Sequence, residues 1–234
     1  MTFRSAQELA ATRSSWPHVL TLLSSSSLSV SIEPTDLAAR NRALEDLQVT
    51  THSLLGAIAW NCGVISIDHG WVRVLGAGFG SLAGVRPEAL HDPAATRTFQ
   101  GVVVAYDILG GRFAIHGEGL DDVQPGEIVY WGPDSLNWMP LQFGHSALIE
   151  FLLSDRLEAF YADLRWDGWQ DASSQVPLDE GLSAYPFPWS KEGKGAEVSR
   201  HPVPMAELVA MAELAAAQLR GLPDGTSVKI DWTD

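Results

Sequence analysis

The chain has 234 residues, 46% of them hydrophobic and 19% charged. That balance supplies a core and excludes an intrinsically disordered chain. Fifteen Lys and Arg against 29 Asp and Glu leave a formal charge of −14, which argues against nucleic acid and anionic lipid, both of which are held through Lys and Arg, and favours solubility and a basic partner.

Two short helical patterns open the chain, with a break at Trp16-Pro17. After a serine run, Leu28 to Ile32 alternates strictly and predicts a strand. Pro34 suits a first helical turn, and Leu37, Leu44 and Leu47 recur on one face of the next helix. Three apolar or β-branched runs follow, Ala57 to Trp60, Val64 to Ile67 and Trp71 to Leu75. They are separated by Asn61-Cys62-Gly63 and Asp68-His69-Gly70, which predict tight turns and hence antiparallel strands. Gly76 to Gly84 predicts a flexible loop, followed by a polar stretch to Thr98. Gly101 to Tyr106, Arg112 to Ile115 and Glu127 to Trp131 predict a second set of strands. Leu148, Phe151 and Leu152 mark a helix starting near Ser146. Leu157, Phe160, Tyr161 and Leu164 mark the next, with Asp155 and Glu158 as its capping pair. Trp166 to Trp189 is aromatic and proline-bearing, and Gly193 to Pro204 predicts a loop or linker. Met205 to Leu219 is an amphipathic helix stopped by Gly221 and Pro223. Val228, Ile230 and Trp232 alternate as a final strand. Strands are not regularly interleaved with helices, which predicts an α+β fold, a mainly antiparallel sheet packed with helices. Residues 1–192 form a single α+β domain in this reading. Residues 193–234 supply a linker, the amphipathic helix and the final strand, packed on the same domain.

Cys62 stands alone, so no intramolecular disulfide or thiolate cluster forms. Met1 to Ala11 lacks the apolar run of a signal peptide, and the longest apolar stretch, Val102 to Tyr106, falls far short of the roughly 20 residues that span a bilayer. A cytoplasmic protein without a membrane partner is expected.

The chemistry-bearing residues are sparse. Gly78-x-Gly80-x-x-Ala83 fits a loose dinucleotide fingerprint, but Val85-Arg86-Pro87 follows where a helix must open, so the nucleotide reading is rejected. Asp68-His69-Gly70 puts a carboxylate beside an imidazole, and a turn with Asp first and Gly last explains it without catalysis. The other reading makes His69 a binding contact. Cys62 has no cation or base beside it in sequence to activate it. No two of the seven histidines have the spacing of a helical metal pair. His116-Gly117-Glu118, near Asp121 and Asp122, reads as strand end and loop acids. No nucleophile elbow or phosphate loop occurs. No catalytic residue, metal ligand or cofactor is assigned. A rival reading, a small-molecule-binding protein or hydrolase, needs Asp68, His69, His116 and Glu118 to converge in one pocket.

Nine tryptophans is a high count for this length. Trp16, Trp60, Trp71 and Trp232 fall in apolar patterns and read as core. Trp131, Trp138, Trp166, Trp169 and Trp189 lie in turn-like segments beside Asp134, Asp167 and Asp171. Aromatic rings with a polar edge anchor interfaces, so Asp68, His69, Trp131, Asp134, Trp166 and Trp169 are the candidate partner-binding residues.

Leu47 to Thr51, Leu55 to Ala59, Ile67-Asp68-His69-Gly70-Trp71-x-Arg73-Val74-Leu75-Gly76, Arg165-Trp166-x-Gly168-Trp169 and Tyr185-Pro186-Phe187-Pro188-Trp189 resemble a bacterial family, domain-of-unknown-function family 2625. That resemblance implies no activity. Val104 to Asp107, Gly110 to Ile115, Gly126 to Trp131 and Leu148-x-x-Phe151-Leu152 are similar to the SUKH pattern. SUKH proteins include cell-wall regulators and bacterial immunity proteins that bind toxin domains. The similarity implies a SUKH-like α+β fold and protein binding without catalysis. The expected function is a protein-binding module, of immunity type if its partner is a basic nuclease toxin. A housekeeping regulatory protein without a toxin partner is a further alternative.

Overall fold

The computed structural model describes residues 3–11, 13–93, 95–194, 197–223 and 225–228. Ser5 and Glu8 close a reciprocal capping box at the start of α1 (Ala6–Ala10). Helix α2 (Trp16–Ser25) tolerates Pro17 because the first-turn amides have no intrahelical acceptor. Strand β1 (Val30–Glu33) then leads to α3 (Leu37–Leu47), where the Asp36 carboxylate accepts from Ala39 N at 2.8 Å. Helix α4 (Leu54–Asn61) is capped by Ser53, whose hydroxyl accepts from Gly56 N at 3.0 Å. This helix replaces the expected strand at Ala57–Trp60, and Cys62 is its buried C-cap instead of the centre of a hairpin turn.

The sheet follows. Strands β2 (Val64–Ile67) and β3 (Val72–Leu75) are antiparallel across the Asp68–Gly70 turn. The Gly76–Gly84 stretch is a tight hairpin, β4 (Gly78–Phe79) with β5 (Leu82–Ala83), and Leu82 is buried. Gly78 has φ +103°, and a Cβ there would meet Gly84 N and Leu82 O at 2.7 Å. The expected flexible loop is therefore a packed turn. Strand β6 (Glu88–Asp92) pairs with β7 (Arg97–Asp107), then β8 (Arg112–Glu118), β9 (Glu127–Trp131) and β10 (Trp138–Gly144) complete the sheet. Its order among the described residues is β1-β2-β3-β7-β8-β9-β10, with β6 beside β7, and every pairing is antiparallel.

Helices α5 (His145–Leu152), α6 (Arg156–Phe160) and α7 (Trp169–Ser174) follow. The expected Asp155–Glu158 cap does not form; the Asp155 carboxylate accepts from Ser27 Oγ at 3.0 Å instead. Strands β11 (Glu180–Tyr185) and β12 (Ser199–Pro204) make a second antiparallel pair, so the expected 193–204 linker contains a strand. Helix α8 (Met205–Leu219) matches its predicted span, and its Met205 and Leu208 enter the main core. The strand expected at Val228, Ile230 and Trp232 lies, beyond Val228, outside the described residues, as does Trp232 itself. The fold is α+β. No helix among the described residues is long and apolar enough to cross a membrane.

The two sheet faces differ in character. Val72, Asp107, Phe113 and Tyr130 look toward α6, where Phe160 lies 5.0 Å from the Tyr130 ring and 6.0 Å from that of Phe113. On the opposite face, Ser66, Arg73, Tyr106, Arg112, Trp131 and Trp138 succeed one another in register across six strands. Helix α8 covers part of that row, with Glu213 on Arg112 at 2.6 Å and Ala216 packed on Trp131.

Candidate functional site

Antiparallel pairing brings several turns to one end of the sheet. Val72 stands opposite Asp107, Tyr106 opposite Arg112, and Arg112 opposite Trp131. The β2–β3, β7–β8 and β9–β10 turns therefore share an end, and the segments around α7 and β11 fold over it. Ile108 N donates to Trp71 O at 2.9 Å, and Leu182 N donates to Ile108 O at 2.6 Å.

The β2–β3 turn is built from three consecutive left-handed residues, Asp68, His69 and Gly70, with φ of 55°, 58° and 79°. Asp and His tolerate this region better than most side chains. The turn buries Asp68 and leaves His69 exposed. Asp68 is ion-paired with Arg165, which arrives from the α6–α7 connection. The Arg165 guanidinium lies 3.8 Å from the Trp169 ring centroid and 5.0 Å from that of Trp71. Fully buried Trp71 is ringed by Tyr161 at 5.4 Å, Trp166 at 5.7 Å and Trp169 at 5.1 Å, and His69 meets the Trp169 edge at 5.9 Å. On the outer side, Arg200 of β12 stacks 3.8 Å over Trp166. Cations on ring faces and edge-on aromatic pairs are both attractive arrangements. The cluster is a rigid platform of alternating rings and guanidinium groups.

Of the six predicted residues, Asp68, His69, Trp166 and Trp169 come together here. Trp166 and Trp169 are half-buried, each with one part toward solvent. Asp134 is half-buried in the β9–β10 turn, at the same end of the sheet but three strands away, about 14 Å at the usual strand spacing. Trp131 is 0% exposed, enclosed by Trp138, Ala216 and the Arg112 guanidinium. It is a core residue with no surface for a partner, which corrects the expectation that it anchors one. Three exposed carboxylates, Asp163, Asp167 and Asp171, flank the platform on its own segment.

The rival pocket does not assemble. His116 is opposite Gly101, six residues along β7 from Asp107, so it lies about 20 Å from the Asp68 end. Its ring is already committed, with Nε2 accepting from Leu120 N at 3.1 Å and Nδ1 placed 3.4 Å from Gln124 O. No group of three His, Cys, Asp or Glu among the described residues has the geometry of a metal site.

Sequence reasoning missed Arg165 and Arg200. Arg165 lies in a motif that was noticed, but its carboxylate partner is 97 residues away. Arg200 sits in the stretch expected to be a linker, where nothing local marks it. Burial lowers the Arg200 pKa, and no carboxylate among the described residues lies within ion-pair reach of it.

The model of a family described as "Protein of unknown function DUF2625" matches residues 6–208. The chain belongs to this family. Among similar proteins, the Escherichia coli (strain K12) protein YbfG, described as putative and uncharacterized, is 32% identical over 193 residues, 79% of this chain and 86% of the relative. An uncharacterized protein of Haemophilus influenzae (strain ATCC 51907 / DSM 11121 / KW20 / Rd) is 33% identical over 148 residues, 60% of this chain and 63% of its own length. The DUF2625 match spans every residue of the platform.

Proposed function

We propose that this chain is a non-catalytic protein-binding module that docks a basic partner over the Asp68–Gly70 turn and the α6–α7 segment. The carrying observation is the platform itself. Trp166 and Trp169 are half-buried on a support fixed by the Arg165–Asp68 pair, with Asp163, Asp167 and Asp171 exposed around them. Aromatic anchors on rigid backing, rimmed by charge, are the usual composition of an interface hot spot. A formal charge of −14 speeds encounter with a cationic surface. The finer reading is an immunity-type protein against a nuclease-like toxin, whose own nucleic-acid face is basic. The SUKH resemblance supports that reading.

The test uses immobilised wild-type protein and an Asp167→Lys/Asp171→Lys variant, both positions being exposed, against a bacterial lysate at low and high ionic strength. The expected result is a basic protein retained at low salt by the wild type, released as screening rises, and lost by the variant. Retention of no basic protein, or equal retention by the variant, refutes the proposal.

A further inference from the structure

Beside the platform, a small cleft of about 70 Å³ opens between the α6–α7 connection and the β11–β12 pair, and its lining includes Asp163, Leu164, Arg165, Trp166, Pro188 and Arg200. We infer that this cleft binds a small monocarboxylate with an apolar stem, its carboxylate held by Arg200 and Arg165 and its stem laid against Leu164, Pro188 and the Trp166 face.

Two cations carry the argument, one with a buried unpaired donor and one with no carboxylate in ion-pair reach among the described residues. The Arg165 side chain is 9% exposed; its NH2 is committed to Asp68, while Nε is buried without an acceptor. Arg200 donates NH1 to Val198 O at 3.1 Å and otherwise rests on the Trp166 ring. A guanidinium carries five N–H donors in a planar fork that matches a carboxylate edge. Most of this capacity is unused at Arg200, and the stacking on Trp166 fixes its plane in advance, which lowers the entropy lost on binding.

The charge balance selects a monoanion. Arg165 is paired with Asp68, and exposed Asp163 offsets Arg200, so the cleft is close to neutral and holds one guanidinium without an ion pair, which a single negative charge matches. A phosphate dianion would add a second negative charge beside Asp163, on a chain already at −14. Leu109 and Ala184 extend the apolar part of the wall, which suits a short hydrocarbon stem. The site shares Asp163, Arg165 and Trp166 with the docking surface, but the Asp167 and Asp171 positions that test docking play no part in it, so the two can fail separately.

The experiment is a titration of the full chain with butyrate, its neutral isostere butyramide and inorganic phosphate, followed by amide and indole shifts in two-dimensional NMR. Butyrate is expected to saturate and to move the Arg165, Trp166 and Arg200 signals, with little response to butyramide or phosphate. Arg200→Met is expected to weaken butyrate by about tenfold or more, the loss of one charge-assisted contact. Linear, unsaturable shifts overturn the inference. So does an equal response to butyramide, stronger binding of phosphate, or unchanged affinity in Arg200→Met. Should Arg200→Met fail to fold, Arg200→Lys and the wild-type contrast between butyrate and butyramide decide the matter.

Discussion

Asp107 is the residue whose removal has the most calculable consequence. Its carboxylate is fully buried at the β7–β8 turn and accepts four hydrogen bonds. Leu109 N and Gly111 N donate to Oδ1 at 2.9 and 2.8 Å, while the Tyr130 and Tyr161 hydroxyls donate to Oδ2 at 2.7 and 3.2 Å. One side chain thus closes the turn and ties β9 and the end of α6 to it. Gly111 is part of the device, since a Cβ there would strike the Asp107 carboxylate and approach the Tyr130 hydroxyl to 2.6 Å. Asp107→Ala leaves two amides and two hydroxyls buried without their acceptor, each costing about 1–3 kcal/mol, offset in part by relief of the carboxylate's own desolvation. The expected net loss is about 3–5 kcal/mol, a large share of the 5–15 kcal/mol typical of a domain. Asp107→Asn keeps an acceptor for the turn amides and is expected to lose about 1–2 kcal/mol. Burial raises the Asp107 pKa despite the donors from Tyr130, Gly111, Leu109 and Tyr161. A carboxyl raised in the folded state binds its proton more readily there than in the unfolded chain. Its contribution to stability is complete below the unfolded pKa and lost as pH rises through the folded value. The margin of wild type over Asp107→Asn is therefore expected to widen as pH falls from neutral toward 4. Urea unfolding followed by tryptophan fluorescence at several pH values measures all three quantities. A loss under about 1 kcal/mol for Asp107→Ala would show that the network is not what holds this end of the sheet.

Two other predictions concern groups set in the core. Burial pushes the Cys62 thiol up to about 12, so the native protein is expected to be inert to a thiol reagent at pH 8 and to react stoichiometrically once unfolded; reaction of the folded protein at the unfolded rate would contradict the buried C-cap. Arg73 is 0% exposed with all three guanidinium nitrogens lacking an acceptor, and burial lowers its pKa to about 10 although Asp107 and Asp179 oppose that shift. Arg73→Met is accordingly expected to stabilise the fold by about 1–3 kcal/mol in urea melts; destabilisation would reveal buried water satisfying the guanidinium.

The β2–turn–β3 unit was legible because every local signal agreed: two short β-branched runs, and between them Asp, His and Gly, which tolerate left-handed backbone. Helix α4 was misread for a reason visible in its residues. Ala57-Ile58-Ala59-Trp60 is a four-residue apolar run, and periodicity cannot separate a buried helix segment from a buried strand at that length. Ser53, three residues before Gly56, was the available signal for a helix start. The strands that went unread carry too weak an apolar–polar alternation in sequence to betray them. Pro140 interrupts β10, Pro202 and Pro204 lie in β12, and β6 buries only Leu90 and Asp92. Proline confines a strand to an edge or a bulge, and such strands carry a weak hydrophobic pattern.

The same division runs through the candidate site. Composition and turn chemistry single out Asp68, His69, Trp166 and Trp169, because those residues are unusual where they stand. They do not indicate that Asp68 is spoken for. Its partner Arg165 is brought in by the return of the chain from α6, and that pairing settles what the turn can do. A carboxylate locked to a guanidinium between two tryptophan rings is a poor general base, since withdrawing it would strand a buried cation at a cost of several kcal/mol. Among the described residues, the ring of the histidine beside it makes no hydrogen bond to a carboxylate, only the edge contact with Trp169. What reads in sequence as an Asp–His dyad is, in the fold, a strut and a surface contact. The energy of the arrangement goes into holding Trp166 and Trp169 rigid at the surface, which is what the proposed docking role requires.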